Sequence, residues 1–207
     1  MSADERERIR MARNGDPAAL RLLYETHVDS IYRLAYRMGG DATQAEDWTQ
    51  EAFVRAFQKL EGFREEASFR TWLGAVAMSV ILNGLRRVKR DRSVLQSDQE
   101  SGSKGIEQKE TVPRDVMLRR HLFHAIDELP EILRSAFILH EVEGYQVNEI
   151  GDMLGAPAGT IKARLFRARE KLRESLRDGA VKQPAASMKL PASMKPRVSV
   201  KGNGEDS

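Results

Sequence analysis

The sequence predicts an all-α fold of two small helical domains, joined by a flexible linker and followed by a disordered C-terminal tail. Three observations predict it. Apolar residues recur at steps of three and four through both halves of the chain, the period of one buried helix face. Gly, Pro, Ser and Asp fall where these stripes begin and end. Between residues 92 and 113, and again from 179 to 207, the stripes vanish into polar sequence rich in Gly and Ser, then in Lys, Pro, Ala and Ser. The totals agree. A chain of 207 residues can hold two small cores, and 31% charged against 6% aromatic residues suits a soluble, helix-rich protein. Cysteine is absent, which excludes disulfides and thiolate metal sites. No apolar run approaches the roughly 20 residues that span a bilayer, and the start, MSADERERIR, lacks the apolar core of an export signal. A cytoplasmic protein is expected.

Residues 1–13 are charged and expected to fray. Asp16-Pro17 then sets an N-cap before a first-turn proline. Leu20, Leu23, Tyr24, His27, Ile31, Leu34 and Met38 follow on one stripe, closed by Gly39-Gly40. His27, on the apolar side, reads as a packed, hydrogen-bonded histidine rather than a catalytic one. The next helix starts at Asp41-Ala-Thr-Gln44, a capping-box-like sequence. Its apolar side carries Ala45, Trp48, Ala52, Phe53, Ala56, Phe57 and Leu60. Its far side carries Asp47, Gln50, Glu51, Val54 and Gln58, either a solvated face or a docking surface for a basic partner. A loop over residues 62–67 leads to Ser68, a possible cap, and to a helix lined by Phe69, Trp72, Leu73, Val76, Ala77, Val80, Ile81, Leu85 and Val88. That helix ends in Arg86, Arg87, Lys89 and Arg90. The macrodipole favours cations there, but four within five positions exceed what capping needs and point to phosphate contact. These helices form a bundle over residues 14–91.

Helical periodicity returns in the second domain, residues 114–178, with Val116, Leu118, Leu122, Ile126 and Leu129. Pro130 opens another helix, which Gly144 closes. His121, His124 and His140 lack a carboxylate at a third vertex, so neither a metal nor another cofactor is expected. The stretch from Glu149 to Leu176 has the grammar of a helix-turn-helix. Ile150, Met153 and Leu154 share one face of a short helix that Gly155 stops, and Pro157 fits the first turn of the next. Ile161, Leu165, Ala168, Leu172 and Leu176 make its buried stripe. Thr160, Ala163, Phe166, Arg167 and Glu170 face the other way, flanked by Lys162 and Arg164. The bland alternative is an amphipathic helix with solvated cations. Phe166 argues against it, because a thymine methyl or base edge in the major groove would give that exposed ring a partner. The tail holds a near-repeat, PAASMKL then PASMKP, and reads as an inert, mildly basic segment.

With these pieces placed, the chain resembles the extracytoplasmic-function (ECF) sigma factors of bacteria. Three stretches carry the resemblance: QAEDWTQEAFVRAFQKLEGFR, ASFRTWLGAVAMSVILNGLRR and LPEILRSAFILHEVEGYQVNEIGDMLGAPAGTIKARLFRAREKL. The first two look like the sigma-2 domain and the third like sigma-4. The resemblance implies a non-enzymatic subunit that binds core RNA polymerase, through its β′ and β subunits, and directs it to promoters. It implies docking of Asp47, Gln50, Glu51 and Val54 on the β′ coiled coil. It implies recognition of the −10 element by a capture loop, Phe63 to Phe69, including Arg64 and Ser68, and by Ser79, Asn83, Arg86, Arg87 and Arg90 of the following helix. It places Thr160, Lys162, Ala163, Arg164, Phe166 and Arg167 at the −35 element. An anti-sigma partner is implied as well, the sigma factor being monomeric when free or bound one to one.

Four residues depart from the family pattern. Met78-Ser79 stands where Arg-Asn is frequent, Ala163 where serine is usual, Trp48 for a common leucine, and Gln146 for a serine cap. A rival reading is a two-domain regulator with a LuxR-like C-terminal reader. It predicts a ligand pocket or a phosphoacceptor aspartate after a strand, and the sequence patterns neither. Nucleophile elbows and phosphate-cradling glycine loops are missing too.

Overall fold

The computed structural model describes residues 2–95 and 114–181. Most of the expected linker and tail lie outside the described residues. Those residues form helices and turns, with no strand among them. The chain opens with a correction. Residues Ala3–Arg13, expected to fray, form a helix, α1. Ser2 caps it, accepting the Glu5 N–H at 3.1 Å. Asp4 and Glu5 sit in its first turn and Arg10 and Arg13 in its last, as the helix dipole favours. Ile9 and Ala12 bury its inner face. Two apolar residues among so many charges gave the stripe too little weight in sequence.

Helix α2 spans Pro17–Gly39, and the Asp16 carboxylate accepts the Ala18 and Ala19 N–H groups at 2.8 and 3.3 Å. Helix α3, Ala42–Gln58, is capped by Asp41, which accepts the Gln44 N–H at 2.8 Å. A 3-10 turn, Leu60–Gly62, leads through a loop to α4, Phe69–Leu95. The long α4 runs past residue 91, where the linker was expected to begin, to Leu95. Helices α1 to α4 pack as a bundle around Leu34, Met38, Ala52, Phe69, Leu73 and Ile81.

The second module contains α5 (Arg114–Asp127), α6 (Glu131–Phe137), a π-helical turn (Ile138–Val142), α7 (Val147–Leu154) and α8 (Ala158–Val181). Helix α8 likewise outruns its expected end, continuing through Val181. Ala125, Leu129, Leu133, Ala168 and Leu172 form a small core where α5, α6 and α8 meet. None of the helices among the described residues is long and apolar enough to cross a membrane.

The two modules pack together. Ile150, Met153, Ile161 and Leu165 of the second belong to the same buried cluster as the bundle core. Helix α7 lies on the N-terminal half of α4 at Gly74, where a Cβ would come within 2.9 Å of both Met153 Cε and the Tyr145 hydroxyl oxygen. Tyr145 covers the Arg70 guanidinium at 4.5 Å, and burial raises the pKa of its hydroxyl. Polar contacts fix the register. Arg70 donates to the Glu143 carbonyl oxygen at 2.5 Å, Arg37 pairs with the buried Glu143 carboxylate, and the Thr71 hydroxyl donates to Glu149 at 2.5 Å.

Candidate polymerase and nucleic-acid interfaces

The acidic face of α3 is laid out as its periodicity predicts. Asp47, Gln50, Glu51 and Val54 are all exposed, while Trp48, Ala52 and Phe53 turn inward. Val54 keeps 54% of its surface in water within this charged face. Glu51 pairs with Arg55 at 2.5 Å along the helix, and such an exposed i,i+4 pair contributes only about 0.3–0.5 kcal/mol. A cationic partner can therefore displace it at little cost.

Between the 3-10 turn and α4, Gly62, Phe63, Arg64, Glu66 and Ala67 rim a cleft of about 300 Å³, the low end of the range for small-ligand pockets. Arg64, Glu66 and Ala67 form its outer wall, Trp72 and Ala75 its floor on α4, and Asp152 and Met153 of α7 close one side. Two residues of the expected capture loop pack inward here. Phe63 and Phe69 are only 3% and 0% exposed. With Trp72 they form an aromatic cluster, ring centroids 5.1–5.8 Å apart. They anchor the ends of the loop, and Phe63 also lines the cleft. The Ser68 hydroxyl is engaged as the cap of α4, accepting the Thr71 N–H at 3.0 Å. Arg64 remains exposed at the rim.

Trp72, half-buried on the cleft floor, was missing from the expected contacts because in sequence it sits on the apolar stripe. From it Ala75, Ser79, Asn83, Arg86 and Arg90 follow at steps of three and four, so the cleft opens onto one continuous face of α4. The nineteen residues from Trp72 to Arg90 carry that face for about 27 Å. Ser79, Asn83, Arg86, Arg87 and Arg90 are all exposed on or beside it. Of the Met78-Ser79 departure, Met78 is buried in the core and only Ser79 looks outward.

The helix-turn-helix is formed by α7 and α8. Gly155 takes the left-handed conformation (φ 60°) that ends α7, and the Ala156 N–H returns to the Gly151 carbonyl oxygen at 2.9 Å. A Cβ on Gly151 would lie 2.7 Å from the Ala156 oxygen, so the turn needs glycine there. Pro157 stands just before α8, and its carbonyl accepts the Thr160 and Ile161 N–H groups. Gln146 precedes α7, and its N–H donates to Glu149 at 2.8 Å, the glutamate half of a capping box.

On α8, Ile161, Leu165 and Ala168 are buried. Thr160, Lys162, Ala163, Phe166 and Arg167 are exposed and Arg164 is half-buried, all along the outer side. Phe166 keeps 63% of its surface in water. The next cation along, Arg169, is held by Glu141 at 2.5 Å. His124 lies near Glu128 and His140 near Glu141, and among the described residues no three metal-ligating side chains come together.

A helix-turn-helix with an open cationic face, set beside a bundle carrying an acidic face and a basic stripe, is the architecture of a DNA-binding protein. Comparison with known proteins sharpens this. The family profile described as Sigma-70 region 2 matches residues 23–91, and that described as Sigma-70, region 4 matches residues 119–172. The chain is 32% identical over 183 residues to the ECF RNA polymerase sigma factor SigW of Bacillus subtilis, covering 84% of this chain and 97% of that one. It is 33% identical over 174 residues to the ECF RNA polymerase sigma-E factor of Escherichia coli K12, covering 79% and 90%. In fold it is similar to the sigma factor RpoE of Bartonella quintana, solved with the anti-sigma factor NepR, with a TM-score of 0.58 and 24% identity over 76% of this chain and 96% of that one. The chain belongs to the ECF sigma factors of bacterial RNA polymerase. It directs promoter-specific initiation of transcription, and the LuxR-like regulator reading is not supported.

Proposed function

We propose a division of labour among three faces of the chain. The exposed α3 face, Asp47, Gln50, Glu51 and Val54, docks on a basic surface of core polymerase, the β′ coiled coil, with further contacts to the β subunit. The cleft rimmed by Arg64 and floored by Trp72 receives an unstacked base of the −10 element. Ser79, Asn83, Arg86, Arg87 and Arg90 follow the strand that leads from it. Extruding one base costs a few kcal/mol, and stacking in a preformed cleft together with phosphate contacts offsets that cost. The outer face of α8, with Thr160, Lys162, Ala163, Arg164, Phe166 and Arg167, lies in the major groove at the −35 element. The reading is that of a cytoplasmic initiation factor with no catalytic chemistry of its own, monomeric when free or held one to one by an anti-sigma protein.

The observation that carries the reading is the continuity of the cleft with the basic stripe of α4, which gives a single strand both a base site and a backbone track. Transcription by purified core polymerase tests it. Added to core enzyme, the protein is expected to start RNA synthesis at discrete promoters. The double variant Asp47→Lys, Glu51→Lys is expected to keep its helical content and lose most of its retention on immobilised core enzyme. Unchanged retention rejects the α3 docking face.

A further inference from the structure

Helix α1 reaches the rim of the cleft through one side chain. Arg13, in its last turn, donates from Nε to the Leu60 carbonyl oxygen at 3.2 Å and from Nη2 to the Phe63 carbonyl oxygen. Its Nη1 lies 3.5 Å from the Glu65 carboxylate, and its guanidinium sits 5.8 Å from the centroid of the Phe63 ring. Arg6, two turns earlier, approaches the other Glu65 oxygen at 3.8 Å. Glu65 has φ 61°, the left-handed region that L side chains other than Asn and Asp seldom adopt. The loop thus holds an unfavoured backbone turn at the residue that α1 grips.

A guanidinium suits this work because its planar fork reaches several acceptors at once, which a lysine ammonium on a flexible stem does not. The tie is local. The Phe63 ring is held separately by Phe69 and Trp72, and α1 by burial of Ile9 and Ala12. Removing the guanidinium therefore frees the loop between Leu60 and Glu65 without opening the core. Arg13 is not among the residues lining the cleft.

We propose that Arg13 is a positioning residue for −10 recognition, setting the shape of the capture loop from α1 without touching DNA. The proposal rests on the reading of the cleft as the site of an unstacked −10 base, and its test separates the two. The probes are single-stranded non-template oligonucleotides spanning the −10 element of a promoter found by transcription-start mapping. One set is intact and the other carries an abasic site at each position in turn. Holoenzyme made with wild-type protein is expected to lose affinity when one particular base is removed. Holoenzyme with Arg13→Ala is expected to bind the intact probe about tenfold more weakly, yet to match wild type on the probe lacking that base. Glu65→Gln, which keeps the loop composition almost unchanged, is expected to give a smaller loss of the same kind, and it carries the test if Arg13→Ala does not fold. Core-enzyme affinity and melting temperature are expected to stay near wild type. No loss on the intact probe, or an equal loss on both, overturns the role of Arg13. A wild-type holoenzyme indifferent to every abasic substitution overturns the capture reading itself, and the proposal with it.

Discussion

Trp48 lies with its ring against two glycines. A Cβ on Gly84 would sit 2.2 Å from its indole nitrogen, and one on Gly39 would sit 2.5 Å from its ring carbon Cζ3. The tryptophan that replaces the common leucine is thus accommodated by missing side chains on α4 and at the end of α2. Gly84→Ala gains about 1 kcal/mol of helix propensity, but overpacking a filled core costs about 1–3 kcal/mol. A net loss in thermal stability is expected, and adding Trp48→Leu is expected to recover it; a more stable single variant contradicts the packing argument.

His27 packs on the Phe69 ring at 5.3 Å. Among the described residues its ring has no hydrogen-bond partner, in contrast to the hydrogen-bonded histidine expected from sequence. Burial, aided by the charge of Arg70 and opposed by Glu5, lowers its pKa from the usual 6.5. As pH falls through about 6.5 the unfolded chain takes up a proton that the folded chain still refuses, so stability falls until the folded pKa is passed and then levels off. The urea midpoint of wild type is expected to drop more between about pH 7.5 and pH 5.5 than that of His27→Leu. Parallel slopes would exclude the histidine.

At the scale of elements, α8 shows how far periodicity alone reaches. Of its expected stripe, Ile161, Leu165, Ala168 and Leu172 are buried while Leu176, near the helix end, is exposed, and Phe166 and its cationic neighbours were placed outward by spacing alone. Arg164→Ala and Arg167→Ala are each expected to cost about 1–3 kcal/mol of −35 affinity if they reach base edges. Fluorescence anisotropy on cognate and scrambled duplexes checks this, since an equal loss on both makes them phosphate contacts. The loop before α4 was less legible. The resemblance implied Phe63 and Phe69 as −10 contacts, and an aromatic residue at a capture loop serves equally as a platform or as an anchor. Their packing with Trp72 makes them anchors of the loop, while Phe63 also lines the cleft. Helix α1 was missed for a related reason: its apolar stripe is two residues long, and its stability comes from the bundle it covers.

For the whole molecule, the contact between modules governs access to the cleft. Asp152 and Met153 wall one side of it only while α7 rests on α4. The outer face of α8 stays open in the same arrangement. The Glu143 carboxylate is 6% exposed and is paired with Arg37, itself 33% exposed. Replacing Arg37 with Ala leaves a buried carboxylate without its partner, a penalty of about 1–3 kcal/mol on the joined state alone. Because the chain lacks cysteine, one engineered cysteine in α3 and one in α8 accept a dye pair without ambiguity. Arg37→Ala is expected to lower energy transfer between them and to raise affinity for single-stranded −10 probes. Unchanged transfer rules the pair out as a fastener.

The sequence by itself determined the helices from α2 onward, most of their inward faces, the helix-turn-helix and the family, because each depends on residues a few positions apart or on motifs read in order. Its limits lay where distant segments meet. The grip of Arg13 on the loop joins side chains 47 and 50 residues from their acceptors, and Arg37 reaches Glu143 across 106. The tertiary structure alone decided those pairings, and with them which aromatics anchor the loop and which face of α4 the second module covers. Helical period tells which side of an element seeks burial, but it carries no information about what the element will be buried against.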